Sequence, residues 1–440
     1  MTAALHTVSH GLRTVIVEAG SARGVPSDKD SLSASLHYTN SGEFHYDPAA
    51  HRRIQVGGTS NHWGGIVNRL RPSDFRMQSE FGIGVDWPID YGELAPYYCK
   101  AERALWVEGF APVAGAEPAR DCAYPQLLAA PYRAPKARLA DTRLRFFSPG
   151  RSRRDGHPVR LILQEVDEFT SSPYGTLLSD RQATRVVVQG GGIDHVVTRS
   201  AEGGLQKIRA RVFVIAAGVI ETPRLLLLST SPAFPEGLAN QSRLVGRHFS
   251  AHPAFPWKFQ LKNALRMPPG LFRSHDFNDV FRRENLNASH FQLRVQGSSA
   301  LWQLQPEMES RPENLVRLSS QRDRFGDPSA DVVLGFSQRD WQTRQRGVDL
   351  LHGYAKRLAI EPPDITTSPN WRSHPAGTCR MGTDASHSVV DRDGKVFGVE
   401  NLYLAGACVF PSTGTSNPTL TVVALAMRLG EHLVRRLQRA

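Results

Sequence analysis

The chemistry this chain can do is concentrated near its C-terminal end. His374 opens a compact run, His-Pro-Ala-Gly-Thr-Cys-Arg-Met-Gly, that ends at Gly382. Its imidazole can move protons near neutral pH. Further on, Asn417-Pro418 predicts a helix start, because Asn is a favoured N-cap and Pro suits the first helical position. Apolar residues follow at Val423, Ala426, Leu429, Leu433 and Leu437, close to the 3.6 period. Between these two features, Leu402 to Gly406 reads as a short apolar strand ending in small residues. A strand, a loop and a capped helix in that order bring backbone N–H groups and a helix's positive end towards a ligand. A lone Asn-Pro is usually only a cap, and a lone His is usually only a surface or core residue. The conjunction with the glycines is what points to function.

The elements that must hold this segment begin at the N-terminus. Gly11 ends a helix, Thr14 to Val17 reads as a buried strand, and Glu18 stands at the strand's carboxyl end. That is the pattern of a second strand in a dinucleotide fold, whose acid bonds the ribose hydroxyls. The glycine-rich turn belongs ~20 residues upstream of that acid, before residue 1. The expectation is therefore an N-terminally incomplete Rossmann-like domain, and the rival reading is a degenerate, non-catalytic remnant. Residues 21–55 read as a loop-rich excursion. Val56 to Gly65 carries glycines at 57, 58, 64 and 65 around Ser60-Asn61-His62-Trp63, which lets backbone approach a planar ring. Asp90 reads as an N-cap with Glu93 in capping-box position.

Further along, Thr184 to Gln189 and His195 to Arg199 read as a strand pair joined through Gly190-Gly191-Gly192, with Lys207 to Val214 as another strand. Arg211 to Gly218 is a strand ending in small residues, and the helix after it opens at Glu221. Alternating segments at Phe291 to Val295 and Asp331 to Ser337 suggest an antiparallel sheet walling a substrate site. Arg151 to Arg154 reads as a solvated loop.

Composition excludes several classes. At 440 residues, with 40% hydrophobic and 22% charged residues, the chain can bury a large core over two or three domains. It has no run of about 18 apolar residues and so no transmembrane span. No secretory leader is visible, and the expected location is cytoplasmic. The net charge of +11 comes mostly from scattered arginines and carries no nucleic-acid reading motif. The four cysteines, at 99, 122, 379 and 408, have no metal spacing, and so few suit a reducing compartment or simple indifference. No metal site is expected. Cys379 and Cys408 are expected to be neighbours.

The run from His374 to Gly382, followed by Asn401 to Thr421, resembles the C-terminal signature of the glucose–methanol–choline (GMC) family of flavin-dependent oxidoreductases. It is nearest the branch with pyranose 2-oxidase and bacterial dehydrogenase-like flavoproteins. The resemblance implies an α/β fold in which a discontinuous FAD-binding domain (1–75, 181–250 and 371–440) carries an inserted α+β substrate domain (76–180 and 251–370). It implies FAD as cofactor, an alcohol or sugar as substrate, and oxygen, a quinone or a cytochrome as electron acceptor. His374 and Asn417 match the family's pair at the flavin. The implied roles are general base for His374 and orientation of the reacting oxygen for Asn417, with hydride passing to flavin N5. The implied cofactor contacts are Glu18, Gly57, Gly58, Ser60, Asn61, His62, Val187 beside adenine, Ala217, Gly406, Ala407, Pro418 and Thr419. In the pyranose-oxidase branch a His placed like His62 is covalently joined to the flavin. Both a bond and simple hydrogen bonding are open for His62.

Overall fold

A computed structural model describes residues 1–21, 38–109, 118, 120, 122–123, 126–127, 150–154, 157–158, 161–260, 269–358, 360–362 and 364–439. Part of the excursion read at 21–55 and most of 110–149 lie outside these residues.

Helix α1 (Thr2–Ser9) turns at Gly11 (φ 75°) into strand β1 (Thr14–Val17). Strand β1 runs parallel to β2 (Gly175–Leu178), its one neighbour among the described residues. Val15 is 48% exposed, so the strand read as buried is open on one face. Strand β2 comes from the 76–180 segment, which therefore contributes to the first sheet.

The expected hairpin is present as β3 (Arg181–Gln189) and β4 (Gly192–Ser200). Gly190 and Gly191 form its two-residue loop with φ of 61° and 85°, the left-handed conformation that a tight hairpin turn requires. Strand β5 (Leu205–Ile208) adds to β4. The single strand read over Lys207 to Val214 is two. The chain leaves the hairpin at Arg209, which pairs with Asp194 of β4 at 3.2 Å. It then enters a different sheet as β6 (Phe213–Ile215). Helix α3 follows, over Gly218–Leu228.

Beyond α3 the chain builds an antiparallel sheet from β7 (Pro253–Gln260), β8 (Gly270–Ser274), β9 (Ser289–Gln296), β10 (Ser299–Pro306) and β11 (Asn370–Trp371), in the order β8-β9-β10-β7-β11. One face carries Phe255, Trp257, Phe272, Phe291, Leu293, Trp302 and Leu304 into the main core. Strand β12 (Leu402–Leu404) then pairs parallel with β6. The last helix, α5 (Thr419–Arg439), buries Leu420, Val423, Ala424, Leu429 and Leu433. It packs on α1 and on α2 (Tyr91–Ala104). A Cβ at Gly430 would stand 2.9 Å from the His6 Cβ, so glycine there lets α1 approach closely. Helix α2 starts with the expected capping box: Glu93 N–H donates to Asp90 Oδ1 at 2.8 Å, and Asp90 N–H to Glu93 Oε1 at 3.5 Å.

Two further readings change. Gly150–Arg154 is a strand paired with Ile66–Val67 and Val107–Gly109, not a solvated loop. Ser152 is buried within it and donates its hydroxyl to Leu105 C=O at 2.7 Å. Cys99 and Cys122 form a disulfide tying α2 to the segment after it. The sequence carried no sign of this bond, since so few cysteines suited a reducing compartment or simple indifference. Cys379 and Cys408 are free, buried and adjacent, with Cys379 N–H donating to Cys408 C=O at 2.9 Å. Among the described residues no helix is long and apolar enough to cross a membrane.

Candidate active site

His374 and Asn417 meet. The His374 Nε2 lies 2.8 Å from Asn417 Nδ2, and its Nδ1 lies 3.0 Å from Nδ1 of a second histidine, His252. His252 Nε2 stands 2.8 Å from the Gly414 carbonyl. A carbonyl only accepts, so His252 carries its proton on Nε2. Burial pushes the His252 pKa down to about 4. It is therefore neutral, and its Nδ1 is a bare lone pair that must accept from His374 Nδ1–H. His374 is also held well below the usual imidazole range, first by burial and then by His252, Arg273 and Arg372 nearby. With one proton, already on Nδ1, its Nε2 is bare and accepts from the Asn417 amide. The result is a directed run of hydrogen bonds from Asn417 through His374 and His252 to the Gly414 carbonyl, in which the His374 Nε2 lone pair accepts from Asn417.

Local sequence explains why the pieces converge. Each histidine precedes a proline (His252-Pro253 and His374-Pro375), which favours extended backbone at the histidine. The two segments lie antiparallel: Ser250 and Ala376 exchange N–H···O=C bonds at 3.0 and 2.9 Å, and Arg372 N–H donates to His252 C=O at 3.0 Å. Gly377 (φ 78°) is required, because a Cβ there would stand 2.0 Å from the His248 carbonyl. Thr378 ties the segment to α3 through its hydroxyl and Val219 C=O, 2.9 Å apart.

The Ser/Thr-rich loop before Asn417 is anchored residue by residue. Trp87 Nε1 donates to Ser412 Oγ (3.0 Å), Asn278 Nδ2 to Thr415 Oγ1 (2.7 Å), and Ser416 Oγ to Arg69 C=O (2.9 Å). Gly414 N–H donates to Glu307 Oε1 at 2.8 Å. Glu307 and Asp74 both accept from the buried Arg282, at 3.1 and 2.6 Å. One residue, Gly414, thus links an ion-paired hub to the histidine pair through its N–H and its C=O.

The N-cap reading of Asn417 needs correction. Helix α5 begins at Thr419, and the first turn closes from Val422 N–H to Pro418 C=O at 2.9 Å. The Asn417 side chain is turned to His374 instead, where an amide donor is matched by a bare imidazole nitrogen.

The residues named for a dinucleotide fall along strand ends. Glu18 ends β1 and accepts from Gly20 N–H at 2.8 Å, and burial raises its pKa to about 7. Val187 lies half-buried on β3. Ala217 precedes α3 directly after β6, and Gly406-Ala407 follow its partner β12. Gly57, Gly58, Ser60 and Asn61 form a tight turn, Gly58–His62. Ser60 Oγ donates to Gly57 C=O at 2.6 Å and Asn61 Nδ2 to Val56 C=O at 2.9 Å. The His62 side chain lies outside the described part.

These residues fit a flat, elongated cofactor. A Cβ at Gly218 or Gly406 would meet nothing within 4 Å, although β6 and β12 are paired immediately before them. Ala216 and Ala217 are exposed, while Gly406, Ala407, Asn417, Pro418 and Thr419 are half-buried. The Asn417 Oδ1 is buried without a hydrogen-bond partner. Small residues and open space at the strand ends, beside a helix N-terminus, suit an anionic cofactor.

This fold and site define an oxidoreductase of the flavin-dependent α/β kind. Residues 310–426 match the family described as GMC oxidoreductase, and the chain resembles members of that family. It is 25% identical over 447 residues to the fructose dehydrogenase large subunit of Gluconobacter japonicus, covering 87% of this chain and 81% of that one. It is also 25% identical to 2-methyl-1,2-propanediol dehydrogenase of Mycolicibacterium austroafricanum, at the same coverages. Pyridoxine 4-oxidase from Mesorbium loti has the same fold, with TM-score 0.70, 18% identity, and 98% and 96% of the two chains covered. FAD is the family's cofactor, and oxidation of alcohol or sugar hydroxyls is its chemistry.

His252, Glu307, Arg282 and Arg273 were not singled out from sequence. The repeated His-Pro dipeptide was the one available signal, for His252. Glu307 directly follows β10, Arg273 lies on β8 and Arg282 on a short helix, with no motif around them.

Proposed function

We propose that this chain oxidises a CH–OH group of an alcohol or sugar to a carbonyl, with His374 Nε2 as general base. The substrate hydroxyl inserts between Asn417 and His374. Its oxygen accepts from Asn417 Nδ2 and its proton passes to His374 Nε2, breaking O–H and forming N–H. FAD, when bound, supplies the acceptor for the hydrogen and electron pair leaving the carbinol carbon. His252 is a positioning residue: by accepting from His374 Nδ1 it keeps Nε2 bare and aimed at the substrate. The positive end of α5, at Pro418 and Thr419, favours negative charge developing nearby.

The cofactor's adenosine half is assigned to Glu18, Val187 and Ala217. The flavin half is assigned to the Gly57–His62 turn, to Gly406-Ala407 and to Pro418-Thr419. The binding domain then comprises 1–75, 181–250 and 371–440 together with strand β2, and the remaining segments form the substrate side. His62 is the candidate for a covalent link. Acid precipitation of the holoprotein tests it: flavin retained in the pellet and lost in His62→Ala supports the bond, and flavin released from the unaltered protein rules it out.

The hydrogen-bond order around His374 is the observation that carries this reading. Replacing the base tests it. His374→Ala should lower turnover by ~10²–10⁴-fold, the yield of a positioned acid–base group, while FAD content stays normal. Near-normal turnover across pH would place the base elsewhere.

A further inference from the structure

The antiparallel sheet beside His252 has a second face, and that face is polar although it is buried. In register across β8, β9 and β10, Arg273 lies opposite Gln292, and Gln292 opposite Gln303. His290 lies opposite Gln305 in the neighbouring row, with His275 packed on His290 at a ring separation of 5.4 Å. All six side chains are between 1% and 6% exposed. No carboxylate lies within ion-pair distance of Arg273 among the described residues.

The contrast with the other arginines that are at most 3% exposed is sharp. Arg69 pairs with Glu102 at 3.0 Å, Arg224 with Asp323 at 2.7 Å, and Arg282 with Asp74 and Glu307. Arg273 is buried as deeply and meets only amide oxygens. Nε and Nη2 share Gln292 Oε1 at 3.3 and 3.0 Å, and Nη1 donates to Asn68 Oδ1 at 3.0 Å with that amide turned to suit its partners. A guanidinium has five N–H groups, so one remains on each Nη nitrogen to meet a further acceptor. Both ring nitrogens of His290 also lack a hydrogen-bond partner. Burying an unpaired charge is costly, and this cation lies close enough to His252, His290 and His374 to lower their basicity.

We propose that Arg273 binds a carboxylate of the substrate, so that the hydroxyl oxidised at His374 belongs to a hydroxy acid or sugar acid. This rests on the oxidation reading above and narrows its substrate class. The neutral amides Gln292 and Asn68 hold the fork in place without discharging it, and the His290 ring adds a donor beside it. Substrate binding then brings the missing negative charge into the site. It also removes the cation's opposition to a protonated His374, coupling the anionic group to base strength.

The experiment compares matched pairs on the holoenzyme: D-glucuronate with D-glucose, and L-lactate with 1,2-propanediol. Anaerobic bleaching of the flavin and calorimetric binding are measured for each. The acid of at least one pair should be favoured about tenfold or more, the discrimination worth ~1.4 kcal/mol. Arg273→Gln should bring that ratio to near unity, and Arg273→Lys, which keeps the charge but not the fork, should retain part of it. Neutral members reacting and binding as well as the acids would overturn the proposal. So would an acid preference that survives in Arg273→Gln, or D-glucose 6-phosphate binding more tightly than D-glucuronate. If no hydroxyl compound bleaches the flavin, the oxidation reading fails, and calorimetry judges the anion site alone. Carboxylate binding lost in Arg273→Gln would sustain it, and no carboxylate binding would overturn it.

Discussion

Arg282 and Arg273 are both about 1% exposed, yet they are built on opposite principles. Arg282, on the short helix Asn278–Arg283, is held by Asp74 and Glu307 and passes order to Gly414 through Glu307. Arg273, on β8, is held only by neutral amides. The first meets its opposite charges inside the protein, so its job is to position. The second carries an unmet charge into a polar, buried face, so its job is to meet something brought from outside. Burial alone does not separate a structural arginine from a recognising one. The sign of its neighbours does.

The sharpest way to break this comparison is to remove each charge and measure unfolding. Arg282→Met leaves two carboxylates buried without a cation and should cost ~3–5 kcal/mol by urea or thermal denaturation. Arg273→Met removes a charge with no partner and should leave stability within about 1 kcal/mol or raise it. Equal losses in the two variants would mean that Arg273 also satisfies a hidden structural anion.

Acidification sharpens the comparison at the histidines. Burial holds His252 and His248 at about 4, and His275, His290 and His374 well below 6.5. Their folded-state pKa values are depressed, so the unfolded chain takes up protons first as pH falls. Stability from this group is fully present above pH 6.5 and declines below it, by up to ~1.4 kcal/mol per pH unit for each histidine still neutral when folded. Unfolding midpoints at pH 7.5, 6 and 5 measure the decline. A midpoint constant over that range would show that the histidines protonate in the folded protein.

The smallest expected effect lies away from both arginines and serves as their control. Asp90→Ala removes the cap of α2 and should cost ~1 kcal/mol without altering the pH dependence of turnover. A change in that pH dependence would mean that α2 reaches the site.

These contrasts also mark what was legible in the sequence. The capping box at Asp90, the glycine hairpin at 190–191 and the strand at 402–404 are set by neighbours in the chain, and local pattern reveals such features. His374 and Asn417 were legible because each sits in a long, specific run. The Arg273 face was not legible. Its polar row comes from register across three strands, and residues at 273, 292 and 303 carry no shared local pattern. The break in the strand read at 207–214 and the pairing of Gly150–Arg154 failed for the same reason, since both depend on which distant strand accepts the chain. The Asn417 cap failed differently: two partners competed for one amide, and the imidazole won.

The central claim is that His252 fixes the His374 tautomer, with the proton on Nδ1 and a bare basic Nε2. Nitrogen-15 NMR of the histidine side chains tests this most directly, with the His374 signals assigned by their loss in His374→Gln. The account predicts a protonated Nδ1 and an unprotonated Nε2 from pH 8 down to well below 6.5, and disorder of that preference in His252→Ala. A proton on Nε2, or a His374 titrating at its ordinary value near 6.5, would contradict it.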